Sequence, residues 1–204
     1  MWKTACPAKA FWPPIDALAN NPLKRAYTPR KQHNIQRRKS SMKILKNREL
    51  TEDTWTTLST DDALIDGDII IPFERWKKAK PSLASHTGKI GVLISSDTAI
   101  NEVIENLKHF DLIALYFPKY TDGTCFSYAF LLRERHRFTG ELRAMGDIFR
   151  DQFTYLERCG FDAILPENLG TLAADKKSFD DISVIYQSSA DGVEPFYRIR
   201  PSRG

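Results

Sequence analysis

GELRAMGDIFRDQFTYLERCGFDAIL, Gly140–Leu165, reads as a strand, a helix and a second strand in direct succession. Gly140–Met145 alternates charged and apolar residues, Ile148–Cys159 carries Phe149, Phe153 and Leu156 on one helical stripe, and Ala163–Leu165 is apolar throughout. Gly160 followed by Phe161 is the signature of a Schellman stop, in which glycine takes the left-handed position and the next apolar residue packs back. One such unit predicts a parallel pair of strands joined by a helical crossover.

The same order of elements recurs upstream. Asp68–Pro72 is a short strand before the helical FERWKKAK; Ile90–Ile94 is another, followed by Ser95-Ser96-Asp97 as a helix N-cap signal and a helix over Ala99–Leu107. Leu112–Phe117 is a continuous apolar run halted by Pro118, the pattern of a strand buried on both faces. A loop, Lys119–Thr124, leads to a helix around Ser127–Arg135. KILK and LTEDTW, separated by Asn47-Arg48-Glu49, predict an N-terminal β-hairpin. One or two helices within 168–180 and a strand at Ser183–Tyr186 complete the series. The fold class is therefore α/β, a parallel sheet of repeated βα units, and periodicity is compatible with either an open sheet or an incomplete β/α barrel.

Charge is unevenly distributed along the 204 residues. Residues 1–41 hold nine Lys/Arg against Asp16 alone, whereas the remaining 21 basic and 25 acidic residues give residues 42–204 a net charge of −4. The leading segment, with five prolines and no sustained period, predicts a disordered basic extension before a domain spanning 42–190 and a basic tail at 191–204. It reads as a tail or an upstream extension of a chain that starts at Met42, so a nucleic-acid partner is not expected. No apolar run approaches the roughly 18 residues of a membrane span, and Cys6, Cys125 and Cys159 lack metal-ligand spacing. These features predict a cytoplasmic protein without a membrane or metal partner.

Parallel α/β sheets bind ligands at the carboxyl ends of their strands. That rule nominates the loop after Phe117, with Lys119 as a cation and Asp122-Gly123 as a turn before a helix, and the loop after Met145, with Asp147 as an N-cap. Glu141 and Arg143 share one face of their strand and form either a pair at a sheet margin or a polar face for an anion. Arg150, three residues beyond Asp147, reaches toward the same loop. The candidate anion site therefore comprises Lys119, Asp122, Glu141, Arg143, Asp147 and Arg150. Cys125, beside a helix N-terminus, is a candidate for a lowered thiol pKa, and Cys159 for a packed thiol. No cofactor motif such as GxGxxG or GxxxxGK[ST] is present, so cofactor and reaction stay open.

The elements Phe117, Thr121-Asp122-Gly123, Leu132-Arg133-Glu134-Arg135, Gly140–Ala144, Gly146-Asp147, Arg150-Asp151-Gln152 and Arg158–Asp162 together resemble a family of small bacterial proteins of unknown function. Members commonly carry an oxidoreductase label tied to sulfite reduction. The chain departs from the family pattern at Thr124-Cys125-Phe126, where Arg-Gly-Tyr is expected. The resemblance implies a place in assimilatory sulfur metabolism and cysteine biosynthesis. It also implies sulfite reductase as partner and a sulfur oxyanion as ligand; whether the chain is an enzyme, or a non-catalytic module docking on the reductase or its electron donor, stays open.

Overall fold

The computed structural model describes residues 43–167, 179, 189–193 and 198. The expectations for residues 1–41, for most of 168–188 and for most of the tail 191–204 lie outside these residues. The described part is a mixed α/β arrangement. An eight-stranded sheet comprises β1 (Lys43–Lys46), β2 (Glu49–Glu52), β3 (Thr56–Thr57), β4 (Ile69–Pro72), β5 (Ile90–Ser95), β6 (Leu112–Phe117), β7 (Glu141–Gly146) and β8 (Ala163–Pro166).

The strand order is β2-β1-β8-β7-β6-β5-β4-β3. From β3 to β8 every neighbour is parallel and consecutive in the chain, while β1 pairs antiparallel with both β8 and β2. Right-handed crossovers between consecutive neighbours put every connecting helix on one face. These helices are α1 (Phe73–Leu83), α2 (Ile100–Ile104), α3 (Thr124–Phe130) and α4 (Phe153–Arg158).

A short link forces the sheet to curl. Seven strand-to-strand steps across a flat sheet would separate β2 from β3 by about 34 Å, yet only Asp53, Thr54 and Trp55 lie between Glu52 and Thr56. Four Cα steps reach at most about 14 Å. The sheet is accordingly a curled open sheet, with the link running across its concave side and the helices on its convex side. Trp55 packs there against the smaller core cluster, which comprises Ile44, Ile70, Leu112, Ala114, Met145, Ala163 and Leu165.

Alternation assigns the rest. Ile69, Ile71, Val92, Ile94, Ile113, Leu115, Leu142, Ala144 and Ile164 join the helices in the larger core. Each fully buried aliphatic or aromatic side chain there contributes about 1.5–3 kcal/mol. Both faces of β6 are covered, which is why its sequence does not alternate.

Local details differ instructively from the sequence reading. The hairpin turn is Asn47-Arg48 alone, both at positive φ (49° and 65°), with Glu49 already in β2. LTEDTW is not one strand, because Asp53–Trp55 leaves the hairpin to cross the sheet. The Ser95–Asp97 cap signal builds a turn instead: Thr98 donates its backbone N–H to Ser95 O, its Oγ1 accepts from Ser95 N, and α2 begins at Ile100 without a side-chain cap. Helix α3 starts three residues earlier than expected and ends in a π-helical turn, Leu131–Arg135. The Schellman stop is present, with Phe161 N donating to Leu156 O, Gly160 N to Glu157 O and Gly160 at φ 98°. No helix among the described residues is long and apolar enough to cross a membrane.

Candidate functional site

Arg143 is the largest side chain among those almost wholly removed from solvent, at 1 % exposure. Its register neighbours are Ala114 on β6 and Ala163 on β8. Two alanines on the same face leave the volume in which a guanidinium can lie along the sheet. Nη1 donates to Asp53 Oδ2 at 2.8 Å, and Nη2 and Nε donate to Glu141 Oε1 at 2.8 and 3.0 Å. Lys46 Nζ reaches Glu141 Oε2 at 2.7 Å.

The Glu141/Arg143 pair therefore lies in the middle of the concave face, not at a sheet margin. The margin placement failed because period 2 shows which residues share a face but not what crosses it. Burial alone would raise the Glu141 carboxyl; the Arg143 charge and hydrogen bonds from Lys46 and Arg143 outweigh it, and the group sits below the usual carboxylate range. Two cations meet two anions within one cluster. An oxyanion at Arg143 would compete with two carboxylates already at contact distance.

The other candidates occupy the loops at the carboxyl ends of β6 and β7. Gly146, at φ 112°, turns the chain where a Cβ would come within 2.4 Å of Phe117 O. Asp147 then points back across the loop and accepts from Tyr120 N at 3.1 Å. It does not cap the following helix, contrary to the sequence reading. Gln152 takes that role, its Oε1 accepting from Phe149 N at 3.1 Å while its Nε2 donates to Tyr120 O at 3.0 Å. The backbone of Tyr120 is thus held on both sides by residues of the Gly-Asp and Arg-Asp-Gln motifs.

Asp122 Oδ1 accepts from Thr124 N at 3.0 Å, and bonds from Ser96 and Thr124 hold its carboxyl below the usual range. A bound anion at the start of α3 would meet that carboxylate. Lys119 and Arg150 are exposed on the same loops. The six candidates accordingly separate into a buried pair, Glu141 and Arg143, and a rim formed by Lys119, Asp122, Asp147 and Arg150. At the same rim Tyr116 donates its hydroxyl to Glu167 Oε1 at 3.0 Å, and burial followed by that bond pushes the phenol up to about 12.

The motifs on the convex side turn out to be structural. Arg133 donates to the carbonyls of Gly160 and Gly140, each at 2.9 Å, and also to Phe138 O and Asp162 Oδ2. Asp162 in turn accepts from Leu142 N at 2.8 Å. Arg133 thereby joins the end of α3, the start of β7 and the turn before β8. Cys125 lies inside the first turn of α3, pointing into the core, and donates to Tyr116 O at 3.4 Å. Burial pushes its thiol up to about 12, the reverse of the lowering expected from a loop position. Cys159 is buried as expected, and burial raises it too. Among the described residues no cluster of three His, Cys, Asp or Glu is placed to hold a metal ion.

Phe149, expected in the core, is 45 % exposed because the helical period begins only at Phe153; Ile148 is buried instead. Its ring meets Tyr120 edge-on at 5.1 Å. Nearby, Tyr155 on α4 lies against Phe126 on α3 at 4.9 Å, beside a groove of about 830 Å³ between the two helices. Sequence reasoning missed Asp53 and Lys46, whose contacts with β7 span some ninety positions, and missed Tyr120 because exposed aromatics have no period. Gln152, three residues after Phe149, was the available local signal.

No curated protein and no solved structure matches the chain. A family model described as a bacterial protein of unknown function, DUF934, matches residues 91–197, from β5 through α4 and β8. That match covers more than half of the chain, which therefore belongs to this family of bacterial proteins of unknown function.

Proposed function

We propose that the chain is a cytoplasmic accessory protein of assimilatory sulfur metabolism, acting in sulfite reduction through contact with sulfite reductase or its electron donor. The pathway rests on the resemblance carried by Phe117–Glu167. The mode of action rests on one observation: Tyr120, Phe130, Phe149 and Tyr155, each 42–53 % exposed, gather on the loop and helices α3 and α4 while the best-placed cation, Arg143, is engaged inside the sheet. Clustered exposed rings mark contact surfaces.

Growth of a deletion strain on defined sulfur sources tests this reading. Rescue by sulfide or cysteine, but not by sulfate or sulfite, is the expected result. Rescue by sulfite would move the step upstream of sulfite reduction, and normal growth on sulfate would refute the reading. Calorimetric titration with sulfite tests the ligand alternative: binding lost in Arg143→Ala while the fold is retained would favour an oxyanion site over a contact role.

A further inference from the structure

The groove between α3 and α4 has the composition of a protein interface. Its lining includes Tyr120, Phe126, Phe130, Tyr155, Arg135 and Arg158, and among the described residues no Asp, Glu or Lys. Aromatic residues and arginine are enriched in recognition surfaces while lysine and carboxylates are depleted. This stands out because residues 42–204 carry a net charge of −4. Tyr120 and Tyr155 are 53 % and 51 % exposed, so the groove presents them to a surface instead of enclosing them as a small-molecule pocket does.

We propose that this groove docks an acidic, aromatic- or leucine-anchored segment of a partner protein. Arg135 is exposed at the groove, whereas Arg158 is engaged by Asp191, which accepts from its Nε at 2.9 Å. Carboxylates of the partner meet Arg135, and its apolar anchor covers Phe130 and Tyr155. Tyr120 is pre-positioned for contact, since Asp147 and Gln152 hold its backbone and Phe149 supports its ring. Pre-positioning removes part of the ordering cost of association. The inference rests on the contact reading above and names the chemistry of the contact.

Panning a displayed library of random dodecapeptides against the full chain tests it. The expected consensus sets Asp or Glu beside Phe, Trp or Leu. A fluorescein-labelled consensus peptide should bind at least tenfold more weakly to Arg135→Glu and to Phe130→Ser, both surface changes whose folding is checked by circular dichroism. No enrichment, a consensus without carboxylates, or binding unchanged in both variants would overturn the proposal. Complementation separates the two readings: full rescue of a sulfur-defective deletion strain by Arg135→Glu would overturn the groove alone, whereas a deletion strain with no sulfur defect would overturn the pathway and leave peptide docking measurable.

Discussion

Arg143→Met is the most revealing perturbation of the fold. The guanidinium is 1 % exposed and makes three hydrogen bonds to Asp53 and Glu141, whose side chains are 8 % and 11 % exposed. Methionine fills much of the volume but leaves two carboxylates facing an apolar sheet, with Lys46 able to answer only Glu141. Removing one partner of a buried ion pair costs about 3–5 kcal/mol. Against a total stability of about 5–15 kcal/mol, that is a large share. With a urea m-value of about 2 kcal/mol/M, the unfolding midpoint should fall by about 2 M. Replacing the whole cluster, as Asp53→Leu, Glu141→Gln and Arg143→Met together, should restore most of the loss, because no buried charge is then left unpaired and the Lys46 side chain, 42 % exposed, keeps its contact with solvent. Urea titration followed by circular dichroism at 222 nm measures both variants. A midpoint shift below about 0.5 M for Arg143→Met, or a triple variant less stable than the single one, would refute the assignment of Arg143 to the fold.

Gly146→Ala places a Cβ against Phe117 O at φ 112° and should destabilise the chain by about 1–3 kcal/mol, read as a lower thermal midpoint. Cys125 should resist iodoacetamide at pH 7.5 in the native state and label fully in denaturant, followed by peptide mass spectrometry; rapid native labelling would contradict the burial of its thiol. Arg133→Lys keeps the charge but loses the planar fork, and should lower stability by about 2 kcal/mol in the same urea assay. Because the folded-state carboxyl of Glu141 lies below its unfolded value, its contribution is complete above about pH 4.3 and is lost as pH falls through the lowered value. Glu141→Gln should therefore flatten the acid limb of the stability profile.

Local chemistry alone specified much of this protein. The alternation of apolar strands with short helices in Asp68–Leu165 dictated the parallel sheet, Gly160-Phe161 dictated the stop of α4, and the unbroken apolar run Leu112–Phe117 dictated a strand covered on both faces. These features follow from contacts within a few residues and from backbone periods. Tertiary structure alone decided the rest. The three-residue link Asp53–Trp55 curls the sheet and delivers Asp53 to Arg143 across ninety positions, a contact with no local signature. Asp147 looked like a cap because its neighbours suited one, yet the adjoining loop offers it the N–H of Tyr120 and Gln152 takes the helix end. Cys125 had the position of a thiol with a lowered pKa, beside a helix N-terminus, but α3 turns it toward Tyr116 O in the core. In each case the sequence defined what a side chain can bond, and the curl of the sheet and the packing of its helices determined which partner came within reach.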